Sequence, residues 1–192
     1  MKPIFLLLFA TTAASATASF QFDSFGGAFS GTPGSTIGWG FTITDSTEYV
    51  FVSQTAFCFS ASQPSDLANC GTQVASDGTY TDFSGNIPVV GPAPDAPSLT
   101  EHYNFLNQTG YGSFQILNSV SPGTVLTGEI AIVYDLFTGD PETDPNATQI
   151  GGDNFTSLPA TITVASSVPE PAPTFLIGAG MVFLSLVRSK LR

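Results

Sequence analysis

Cys58 and Cys70 are the only thiols in the chain. The Ser, Gln, Pro, Asp and Asn residues between them make a loop-like excursion that a disulfide could close, stabilising by about 3 kcal/mol through chain entropy. That bond requires an oxidising compartment. A metal pair would need a second pair of ligands that the neighbourhood does not offer, and a nucleophilic cysteine would need His102 as its base. His102 is the only histidine and lies between Glu101 and Tyr103. A lone histidine in strand-like sequence is more often a surface or edge residue than a general base. Serines are plentiful, but no Gly-x-Ser-x-Gly elbow occurs, and a Ser-His-Asp set could be assembled only by free choice among many residues. Paired-carboxylate glycoside chemistry stays arithmetically open, while abundant acids without body cations equally suit solvation. The expectation is a protein that is not an enzyme.

The sharpest polar cluster is Asp140, Glu142, Asp144 and Asn146, alternating with Pro141, Thr143 and Pro145. Alternating carboxylate and amide oxygens suit a hard cation such as Ca2+, the one cofactor the sequence suggests. It is not an EF-hand, because Pro145 stands where the sharp turn needs glycine and Gly151 where the bidentate glutamate belongs. The second reading is a solvated acidic hairpin loop. Trp39, Tyr80, Tyr103 and Tyr111 are candidates for a carbohydrate-binding face if they form an exposed row. Their competing reading is core packing or scattered surface rings.

Charge excludes one class outright. The four Lys and Arg residues of this 192-residue chain are Lys2, Arg188, Lys190 and Arg192, against 15 acids and a net charge of -11. A body without cations cannot displace phosphate counterions, so nucleic acid is not a partner. For the same reason ion pairs within the body are not expected.

The elements that must position these residues read as strands. Segments between residues 19 and 165 alternate apolar and polar at period two and are bounded by Gly, Pro, Asn and Asp. Trp39, Phe41 and Ile43 alternate with Gly40, Thr42 and Thr44. Tyr49, Phe51, Ser53, Thr55, Phe57 and Phe59 share one face, with Val50 and Val52 on the other. About eight strands follow, at 20–25, 37–44, 48–59, 79–83, 101–106, 112–118, 124–137 and 160–164. The expected fold is all-β, an antiparallel two-sheet sandwich. Its 42% hydrophobic content supports one core. The proline-rich run at 90–97 is expected to be a long inter-sheet loop.

Both ends read as addresses. Lys2, the apolar run at 4–10 and the small residues Ala16 and Ala18 have the build of a signal peptide, 1–18, with the signal-peptidase cut expected after Ala18 and Ala16 as the alternative. After the body at 19–165, residues 166–192 combine Val168, Pro169, Glu170 and Pro171 with an apolar stretch and a basic end. That stretch is expected to form a short transmembrane helix, with Arg188, Lys190 and Arg192 on the cytoplasmic side. This tail resembles the PEP-CTERM sorting signal of Gram-negative bacteria, with Thr174, Gly178 and Gly180 in place. The resemblance implies cleavage by an exosortase after transient anchoring in the cytoplasmic membrane, then release or attachment at the cell surface or extracellular matrix. The role expected for the body is structural or adhesive. The alternative is a carbohydrate-binding module acting on extracellular polysaccharide.

Overall fold

β-Branched and aromatic residues at alternate positions fit a pleated surface, and the chain is built of strands. The computed structural model describes residues 18–23, 27–45, 47–59, 64–70, 74–75, 77–92 and 98–166. The expected signal segment ahead of Ala18 lies outside them. So does the expected transmembrane helix and the tail motif Val168, Pro169, Glu170 and Pro171. Among the described residues no helix is long and apolar enough to cross a membrane.

Eleven strands form three sheets among the described residues, where about eight strands in two sheets were expected. In the first sheet β4 (Phe41–Thr44) is flanked by β1 (Ser19–Phe22) and β8 (Ser98–Glu101). The second, long sheet has the order β2 (Ala28–Gly31), β11 (Gln149–Val164), β10 (Val125–Phe137), β5 (Tyr49–Phe59). The third runs β3 (Thr36–Trp39), β9 (Gly112–Ile116), β7 (Gly78–Asp82), β6 (Val74–Ala75). Pairing is antiparallel except between β2 and β11, which run parallel. The strand expected over 37–44 is divided at Gly40, so the first and third sheets share a continuous stretch of chain. That division is what turns two expected sheets into three.

Two boundaries also moved. The strand expected at 101–106 lies instead at Ser98–Glu101, and the following residues fold into a turn. There Asn104 Oδ1 accepts from the Leu106 and Asn107 N–H groups at 3.0 and 3.1 Å, the Asx-turn geometry that competes with strand. β11 begins at Gln149, not near Ala160. The strand runs through Gly151, Gly152 and Pro159, and β2 joins it only from Thr161 onward. Along the preceding stretch that edge carries no ladder partner among the described residues, so proline's missing N–H is tolerated.

A β-bulge resets the phase of β5. Val133 of β10 pairs with Gln54, but Tyr134 pairs with Val52, leaving Ser53 as the extra residue. Val50 and Val52 therefore enter the main core before the bulge, and Phe57 enters it after. The face expected to hold Tyr49, Phe51 and Phe57 together is thus two half-faces, because one inserted residue inverts a period-two pattern.

The long sheet faces both small ones across a single core. Phe57 on β5 meets Trp39 on β3 and Phe114 on β9, with ring centroids 5.5 and 5.7 Å apart. Phe20 on β1 meets Tyr134 on β10 at 4.7 Å. On the outer side of the long sheet, Ala56, Cys58 and Ala131 form a second small cluster covered by Cys70 and Leu67. Cys58 and Cys70 are disulfide-bonded, Cα atoms 4.6 Å apart, so the expected pairing is geometrically met. The loop it closes covers apolar surface that would otherwise meet water.

Candidate functional site

The ladder of the first sheet places Phe22 opposite Phe41 and Phe41 opposite Glu101. One step further along lie Asp23, Gly40 and His102, and the ladder reaches that far, since Asp23 N–H donates to Gly40 O at 3.1 Å. Asp23 and His102 stand two strand spacings apart, about 9–10 Å between backbones. Their side chains nonetheless meet: His102 Nδ1 lies 2.8 Å from Asp23 Oδ2. Gly40 makes the meeting possible. A Cβ there would fall 2.2 Å from Asp23 Oδ2 and 2.6 Å from the Glu101 carbonyl oxygen.

Gly38, on β3, repeats the arrangement two residues earlier in the chain. The Tyr103 ring lies across it, 2.1 Å from where a Cβ would be. Asp23, His102, Tyr103, Gly38 and Gly40, with Thr36, Phe29 and Ile37, line an open concavity of about 410 Å³. Glycines on either side of Trp39 are the one signal in the sequence that could have pointed to close approach here.

His102 is held from behind. Thr109 Oγ1 donates to the His102 carbonyl at 2.7 Å, and Asn104 and Thr109 exchange backbone hydrogen bonds at 3.1 and 3.2 Å. Its imidazole is 85% exposed, whereas Asp23 is 13% exposed. With Nδ1 engaged by the carboxylate and the ring largely exposed, Nε2 is left free to bond a ligand. The contact is a hydrogen bond between an acid and an imidazole, and counts as an ion pair only when the ring carries both protons. The Tyr103 hydroxyl oxygen is buried without a hydrogen-bond partner. Burial pushes its phenol above the ordinary range.

The four aromatics singled out from sequence do not form an exposed row. Trp39 and Tyr111 are fully buried in the core, because Trp39 shares its strand phase with Phe41 and Ile43. Tyr80 is half-buried, and its hydroxyl lies 3.0 Å from Thr55 Oγ1 and 3.1 Å from the Tyr111 carbonyl. Of the four, Tyr103 alone lines the concavity.

Tyr80 belongs to a second polar constellation, centred on Asp82. Each carboxylate oxygen of Asp82 accepts twice: Oδ1 from Thr55 Oγ1 and Ser84 N–H, Oδ2 from Thr55 N–H and Ser84 Oγ. These bonds fasten β5, just past its bulge, to the end of β7 and the 3-10 turn Ser84–Asn86. Burial pushes the Tyr80 and Tyr111 phenols well above their ordinary range, with the Thr55 hydrogen bond opposing it at Tyr80.

The acidic loop uses its oxygens on itself. Asp140 Oδ1 accepts from Glu142 N–H at 2.9 Å and Oδ2 from Thr143 Oγ1 at 2.7 Å, while Asp144 Oδ1 accepts from Asn146 N–H at 2.8 Å. These are turn-forming bonds of the solvated-loop reading. No group of three His, Cys, Asp or Glu residues placed to hold a metal occurs among the described residues. No protein-family model matches the chain, and no curated protein matches it.

Proposed function

We propose that this chain is an exported β-rich protein, trimmed by an exosortase and displayed at the cell surface or in the extracellular matrix, where its role is structural or adhesive. The observation that carries the reading is the Cys58–Cys70 pair: two thiols brought together as a disulfide suit an oxidising compartment. The sequence of the tail agrees with it. Pro169 and Pro171 lock their own backbone angles and disfavour helix before them, which suits Glu170 to recognition by a peptidase.

Fractionation of cells that express two variants tests the proposal. Replacing Glu170 with Ala should leave uncleaved protein in the membrane fraction. Deleting residues 175–192 should secrete soluble protein that is never sorted. A Glu170→Ala protein still shortened to the parent's mass would overturn the sorting reading, and a mature protein retaining Met1 would overturn export.

A further inference from the structure

We infer that the concavity beside β1, β3 and the end of β8 binds an uncharged polyhydroxylated ligand, a mono- or disaccharide, with Asp23 and His102 making its polar contacts. The volume of about 410 Å³ falls in the range of small-ligand sites, roughly 300–1,000 Å³. Its chemistry is divided as a sugar's is. Asp23 offers a fixed acceptor and the outward Nε2 of His102 a single donor or acceptor beside it. Vicinal hydroxyls, each both donor and acceptor, match that pair. Phe29, Ile37 and the Tyr103 ring supply apolar wall for a C–H face.

Charge narrows the class. The described residues contain no Lys or Arg, so an acidic ligand would meet Asp23 with no fixed countercharge. A permanently cationic ligand would be drawn to the carboxylate but would lie against the imidazole that already occupies Oδ2. A pure hydrocarbon would leave Asp23 desolvated without a new partner, a loss of affinity. The space itself depends on two missing side chains, since Cβ atoms at Gly38 and Gly40 would collide with Tyr103 and Asp23. The inference is independent of export and sorting, which concern other residues.

Saturation-transfer NMR on the full chain in a sugar-free detergent tests it. The probes are glucose, galactose, N-acetylglucosamine and maltose, with glucuronate and choline as charged comparisons. At least one neutral sugar should bind saturably. His102→Ala and Asp23→Asn should each weaken that binding about tenfold, as loss of a ligand hydrogen bond to a charged or polar group does, and Asp140→Asn should leave it unchanged. His102 is exposed, so its removal leaves the fold in place and the result interpretable. Absence of neutral-sugar binding up to about 50 mM, far weaker than useful affinity, would overturn the inference. So would binding of glucuronate or choline alone, or sugar binding indifferent to both substitutions.

Discussion

Asp82 and Asp23 both sit at the end of a strand and both reach across to another segment, but they are spent differently. Asp82 accepts four hydrogen bonds from two residues, Thr55 and Ser84, and every one of them ties the chain to itself. Asp23 accepts from a single exposed imidazole at the rim of a concavity. A carboxylate whose capacity is exhausted internally is a structural clamp. One whose partner faces solvent beside open space has capacity left for a ligand. The same residue type thus serves fold in one region and recognition in the other, and surrounding hydrogen bonds decide which.

The largest effect that would break this comparison is loss of the clamp. Asp82→Ala removes both oxygens that accept these four bonds and strands the N–H groups of Thr55 and Ser84, residues that are 1% and 6% exposed, while the two hydroxyls keep the Tyr111 and Ser53 carbonyls as acceptors. Unsatisfied buried donors cost about 1–3 kcal/mol each, so we expect a destabilisation of about 2–4 kcal/mol in urea unfolding. A loss below about 1 kcal/mol would show that solvent replaces these bonds and that Asp82 is no clamp.

The clamp was illegible in the sequence for the reason the site was. Thr55 and Asp82 lie 27 residues apart, and Asp23 and His102 lie 79 apart. Neither pairing follows from local pattern, because strand order decides it. Gly38 and Gly40 could have signalled close approach, but not which side chains would come. Local chemistry was legible: the strand character of the body, the Cys58–Cys70 pairing and the turn-forming acids at 140–146 all follow from residue type and spacing. The phase of Trp39 with Phe41 and Ile43 marked it as core, against its use in a binding row. The Ser53 bulge hid the phase change in β5, since an alternation cannot announce the residue that inverts it. Only 160–164 of β11 was legible, because Gly151, Gly152 and Pro159 interrupt the apolar alternation ahead of it.

A mid-sized effect follows from alkali. Tyr80 and Tyr111 have raised phenol pKa values in the folded state because burial penalises the phenolate. The unfolded phenol titrates near its ordinary value of about 10. Above that pH the unfolded chain loses protons that the folded one keeps, so stability falls as pH rises. The slope should approach about 1.4 kcal/mol per pH unit for each tyrosine. Urea unfolding at about pH 9 and about pH 11 should show the fall, with Tyr111→Phe removing part of it. Tyr103→Phe, on the concavity side, should remove less, since its ring is only partly covered. Equal effects at both positions would erase the contrast between the two regions.

The smallest effect is the sharpest test of what Asp23 and His102 are for. If the pair served the fold, removing it would cost stability comparable with the clamp. Geometry argues otherwise. The imidazole is 85% exposed, and exposed ion pairs contribute only about 0–1 kcal/mol because water screens them and ordering the side chains costs entropy. His102 is also held through its backbone carbonyl by Thr109, so the turn survives loss of the ring. His102→Ala should therefore shift the urea midpoint by less than about 0.5 kcal/mol in equivalent stability, with the slope unchanged. Asp23→Asn should behave alike, since the Asp23 N–H bond to Gly40 is backbone. A double-mutant cycle on the two positions should return a coupling energy of the same small size. A coupling above about 2 kcal/mol would place this pair with Asp82, as a second clamp.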